Sequence, residues 1–145
     1  MFLVDTNVLL HAIRTEAEEH RACYRCLERL RRGVAPWYLT WGIVYEFLRV
    51  ATHPRVFERP LTATAAHGFI QSLLMSESAA VLFPTARHAD VLRSVIEETP
   101  ALSGNIWHDV ETAALMREHG IRRIYTRDTH FSRFRFLEAL DPLRD

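Results

Sequence analysis

The chain of 145 residues contains no lysine: all 18 of its Lys/Arg positions are arginine. That absence removes a phosphate-cradling P-loop, a Schiff-base amine and a Ser-Lys dyad, each of which needs an ε-amino group. A bias in the base composition of the gene is enough to produce it. Cysteine is scarce too, limited to Cys23 and Cys26 in a C-x-x-C spacing. They fall inside a helical pattern, with no second cysteine pair and no redox-type strand context, so they read as small buried hydrophobes. Neither sign of charge is in excess, since 18 acids balance 18 arginines, and any nucleic-acid contact must therefore come from a local patch. No apolar run is long enough to cross a bilayer. Asp5 interrupts the opening apolar stretch and no basic region precedes it, which argues against a signal peptide. A cytoplasmic protein without membrane contact is expected.

What the chain does contain suits one domain over residues 1–145, because 48% hydrophobic content at this length supplies a single core. Phe2, Leu3 and Val4 make a short apolar run typical of a strand buried on both faces, and Asp5 ends it. Thr6 or Asn7 is placed to cap a helix through Val8, Leu9, Leu10 and Ile13. Further along, amphipathic spacing predicts helices over 16–32, 41–52, 62–76, 84–99 and 106–119. Strands are expected over 34–39, 79–83 and 121–126, with a short edge strand within 134–143. This alternation is the signature of an α/β fold built on a parallel sheet.

An open parallel sheet binds its ligands beyond the carboxyl ends of its strands. Asp5 and Asp128 stand at two such exits and Asp109 in the first turn of a helix expected at the same edge, where a helix cap or a dipole partner would also explain an acid. Glu46 lies within a largely apolar helical segment, so it must be paired, neutral, metal-bound, turned to a polar cleft or snorkelling to solvent. Four carboxylates gathered at one edge repel one another unless a divalent cation compensates them, and oxygen ligands select Mg²⁺ or Mn²⁺. Such a site suits phosphodiester hydrolysis. Near the fourth acid, Arg127, Arg133 and Arg135 interleave with Phe131, Phe134 and Phe136. The arginines are candidates for phosphate contacts, while core packing is the expected task of at least two of the rings.

These residues, taken in order, resemble the PIN-domain family, and specifically the VapC-type toxin ribonucleases of toxin–antitoxin pairs. The resemblance rests on Val4-Asp5-Thr6-Asn7-Val8-Leu9-Leu10, on Glu46, on Asp109 with Ala113-Ala114, and on Thr126-Arg127-Asp128-Thr129-His130-Phe131. It implies a three-layer fold, with a twisted, mainly parallel sheet of four to five strands between helices. It implies catalytic and metal-binding roles for Asp5, Glu46, Asp109 and Asp128, with Asn7 and Thr126 as supporting polar residues. RNA as substrate, a homodimer, and inhibition by a small antitoxin whose segment lies across the cleft follow from the same resemblance; charge complementarity then predicts that the antitoxin reaches the acids with a basic side chain. Trp107 and His108 are not fixed parts of the pattern and receive no catalytic role.

Three other readings fit less well. An HD-type phosphohydrolase, suggested by His108-Asp109, has no use for the opening strand. A haloacid-dehalogenase-like phosphatase needs an Asp where Asn7 stands. A silent RNA- or protein-binding module has no need of four acids.

Overall fold

The computed structural model describes residues 1–144. Its centre is a five-stranded sheet in the order β3-β2-β1-β4-β5, made of β1 (Phe2–Val4), β2 (Trp37–Thr40), β3 (Ala79–Leu82), β4 (Arg123–Tyr125) and β5 (Glu138–Leu140). Every pairing is parallel, with Leu3 opposite Tyr38 on one side and Ile124 on the other. Six α-helices connect the strands among the described residues: α1 (Thr6–Ile13), α2 (His20–Arg32), α3 (Trp41–Ala51), α4 (Ala63–Leu74), α5 (His88–Glu98) and α6 (Trp107–Glu118). The expected α/β architecture is present, and β5 is the expected edge strand.

The chain steps from β1 to β2 to β3 in one direction, then crosses back over β1 to reach β4. Parallel crossovers are right-handed, so steps in opposite directions place α1 to α4 on one face of the sheet and α5 and α6 on the other. Where the direction reverses, between β1 and β4, the two adjoining connections leave on opposite faces and open a crevice at the strand ends.

One continuous core fills both layers. Leu3, Val4, Trp37, Leu39 and Ile124 are fully shielded, as are Ala113 and Ala114 of α6. Cys23 and Cys26 are buried, as their spacing suggested. No helix among the described residues is long and apolar enough to cross a membrane.

Three local expectations need correction. The cap of α1 is Asp5 itself, whose Oδ1 accepts from the Thr6 backbone N–H at 2.7 Å. The second helix begins at His20 and not at Glu16, because backbone bonds from Ala17 to Arg14 and from His20 to Ala17 close turns there. The fifth helix begins at His88 and not at Pro84, because Thr85 turns its N–H and hydroxyl to the buried Glu118 on α6. By contrast α3 begins where its spacing predicts, capped by Thr40 through the Ile43 N–H at 3.1 Å.

Candidate metal centre

A cleft of about 510 Å³ opens where β1 and β4 end, walled by α1, α3 and α6. Asp5, Glu46, Asp109 and Asp128 all line it. The acids converge because β1 and β4 are neighbours, so residues more than 120 positions apart leave adjacent strand ends.

Asp5 is nearly buried, 9% exposed, and fully engaged. Beside the Thr6 contact, its Oδ2 accepts from the Thr126 hydroxyl at 2.6 Å and from the Asn7 side-chain amide. Thr126 Oγ1 in turn accepts from the Asp128 backbone N–H at 2.9 Å, and Asn7 Oδ1 accepts from the Arg127 N–H at 3.0 Å. Asn7 and Thr126 thus tie the end of β1 to the loop after β4 and fix Asp5 relative to Asp128. Burial, aided by the charges of Asp109 and Asp128, pushes the Asp5 carboxyl up to about 6 against the donated hydrogen bonds.

Asp109 is also raised to about 6, first by burial and then by Asp128, with His130, His108 and Arg133 opposing. Asp109, Asp128 and His130 each present a ligand atom within 4.8 Å of the others. The His130 imidazole Nδ1 lies 3.4 Å from Asp128 Oδ1 and 3.8 Å from Asp109 Oδ2, and its backbone N–H donates to Asp128 Oδ1 at 2.8 Å. Asp109, Asp128 and the His130 imidazole form a donor set beside the raised Asp5 carboxyl, and the set lacks positive charge. A divalent cation supplies that charge, so the residues present fit a metal ion.

The structure brings Glu46 into the same cleft but turns it to Arg49. The guanidinium donates Nε to Oε2 at 3.0 Å and Nη2 to Oε1 at 2.7 Å, and that contact first of all holds the Glu46 carboxyl below its ordinary range. Of the three expected phosphate contacts, Arg127 pairs with Glu19 at 2.7 Å and lies 3.5 Å from Asp141, while Arg133 and Arg135 are exposed. Phe131 and Phe134 are core residues, as expected of two of the rings, and Phe136 is half-buried under the Arg117 guanidinium at 4.0 Å. None of the three is therefore an exposed platform. Trp41 and Trp107 are exposed instead, each adjacent in sequence to a residue of the cleft wall.

Two of these partners carry a signal in the sequence. His130 sits inside the loop motif Thr126–Phe131, and Arg49 follows Glu46 at the i,i+3 spacing that brings helix side chains together. His108, given no role from sequence, also lines the cleft.

The family model described as the PIN domain matches residues 2–137. Ribonuclease VapC37 of Mycobacterium tuberculosis is 35% identical over 134 residues, covering 92% of each chain. Among solved structures, VapBC2 from Rickettsia felis, bound to a promoter DNA fragment, superposes with a TM-score of 0.67 at 14% identity over 96% of both chains. The sarcin-ricin-loop-cleaving toxin VapC20 of M. tuberculosis gives 0.63 at 17% identity over 91% of this chain and 93% of its own. With fold and sequence in agreement, this chain belongs to the PIN domain family and is a relative of the VapC ribonucleases.

Proposed function

We propose that the protein is a metal-dependent endoribonuclease and the toxin of a toxin–antitoxin pair. The observation that carries the reading is the convergence of Asp5, Asp109 and Asp128 in one cleft at the sheet's switch point. Similarity to proteins named as VapC ribonucleases supports RNA as the substrate.

Asp5, Glu46, Asp109 and Asp128 would hold Mg²⁺ or Mn²⁺, and a nitrogen ligand from His130 favours Mn²⁺, since Mg²⁺ prefers oxygen. Such an ion supplies an activated water and neutralises charge on the phosphoryl oxygens. The remaining work belongs to the chain. Asn7 and Thr126 orient Asp5 through the hydrogen bonds described above. The buried walls of the cleft exclude bulk water from Asp5, and Arg133 and Arg135 stand exposed beyond the fourth acid to meet the RNA backbone. Arg127 can join them only by leaving Glu19.

An antitoxin partner is supported by the toxin–antitoxin complexes among the solved relatives, and an acidic cleft is complementary to a basic side chain from such a partner. A homodimer acting in the cytoplasm completes the proposal.

The test is cleavage of a mixed single-stranded and structured RNA panel with Mg²⁺, Mn²⁺ or EDTA, comparing native protein with Asp128→Asn. Cleavage that needs a cation and disappears in the variant is expected. Equal cleavage by the variant, or in EDTA, rejects the mechanism. Cation uptake with no cleavage of any RNA points to a binding module.

A further inference from the structure

Arg49 has no part in the mechanism above, although it lines the acidic cleft one helical turn after Glu46. Its two parallel hydrogen bonds occupy both Glu46 carboxylate oxygens. The pair is open to water, with the Arg49 side chain 63% exposed and that of Glu46 33%. Exposed pairs of this kind are weak and exchange readily. An anionic strand entering the cleft meets Asp5, Asp109 and Asp128, and the guanidinium is the permanent cation among the residues that line it.

We infer that Arg49 is a phosphate-binding residue held in reserve by Glu46. A cation that takes the Glu46 carboxylate frees the guanidinium to grip a phosphodiester oxygen of the substrate. This rests on the nuclease reading and adds to it a specific order of contacts.

The planar guanidinium fork fits a phosphate by the same bidentate geometry with which it fits a carboxylate. Cation and guanidinium compete for the same Glu46 lone pairs, so taking up one releases the other. Glu46 is therefore compensated both before and after the exchange, and no step leaves it bare beside the three aspartates. Linkage then requires the cation and the RNA to bind cooperatively, because each removes a competitor of the other. An ordinary helix-stabilising i,i+3 pair makes no such demand.

Two ligands test this: Mn²⁺ alone, titrated calorimetrically into the metal-free protein, and a cleavage-resistant phosphorothioate oligoribonucleotide, followed by fluorescence anisotropy with Mn²⁺ present. Arg49→Ala is expected to bind Mn²⁺ about two- to five-fold more tightly, the strength of the exposed pair it loses. The same variant is expected to bind the oligonucleotide at least about five-fold more weakly at low salt, with the log–log salt slope shallower by about 0.7, one phosphate contact on a single strand. In a Glu46→Gln background, replacing Arg49 leaves Mn²⁺ affinity unchanged, because the competition has already gone. Arg49→Ala that binds Mn²⁺ no more tightly than native protein, or keeps the native oligonucleotide affinity and slope, overturns the exchange and leaves the nuclease reading intact. Native protein that takes up neither ligand overturns both.

Discussion

Asp5 and Asp109 keep their protons up to about pH 6, whereas an unfolded chain releases them near pH 4. A carboxyl raised on folding stabilises the fold below its unfolded pKa, and that contribution is lost as the pH rises through the folded value. Metal-free protein should therefore lose stability between about pH 4 and pH 6, then level off, as followed by thermal unfolding in EDTA. Asp109→Asn removes one charge and almost no volume. It should raise the stability of metal-free protein at pH 7.5 by roughly 1–2 kcal/mol, flatten that pH profile and abolish cleavage. A variant less stable than native protein at pH 7.5 would contradict the electrostatic account of the cleft. Thr126 acts one bond further out. Thr126→Val deletes the hydroxyl that donates to Asp5 and lowers its pKa, so Mn²⁺ uptake should shift to higher pH with the fold intact, which calorimetry at a series of pH values will read.

Among the elements, the connection from β3 to α5 depends on a side chain far from the cleft. Glu118 on α6 is buried, accepts the Thr85 N–H and hydroxyl, and pairs with His88 Nδ1 at 2.8 Å. Burial pushes its carboxyl up, but the hydrogen bonds from Thr85 and His88 outweigh that and hold it below its ordinary range. Glu118→Ala strands those donors and should cost about 2–3 kcal/mol in denaturant unfolding, with Mn²⁺ affinity unchanged. The end of the same helix was legible in advance. Gly120 takes φ +69°, and the bonds from Gly120 N to Arg117 O and from Ile121 N to Met116 O close a Schellman turn. Gly120→Ala should cost about 1 kcal/mol by the same measurement. Helix ends marked by Thr40 and Gly120 could be read because a cap or a left-handed turn is local chemistry. The start at His88 could not, because Thr85 answers to Glu118, 33 positions away.

At the scale of the molecule, a cation that binds the folded cleft and not the unfolded chain stabilises by mass action, about 2.7 kcal/mol at one hundred times its dissociation constant. Protons compete for Asp5 and Asp109, so saturating Mn²⁺ should raise the melting temperature more at pH 7.5 than at pH 5, and EDTA should reverse it. Equal shifts at both pH values would place the ion elsewhere. Apolar runs, their spacing and the acids that end them disclosed an α/β chain, its order of elements and Asp5, Glu46, Asp109 and Asp128 as candidates. All of that is written in windows of a few residues, where backbone sterics and side-chain periodicity act. The strand order β3-β2-β1-β4-β5, the place of His130 beside Asp109 and Asp128, the grip of Arg49 on Glu46 and the burial of Glu118 are matters of another kind. They follow from which strands pair and which surfaces pack, choices settled by the summed free energy of contacts across the whole chain, and no local window contains that sum.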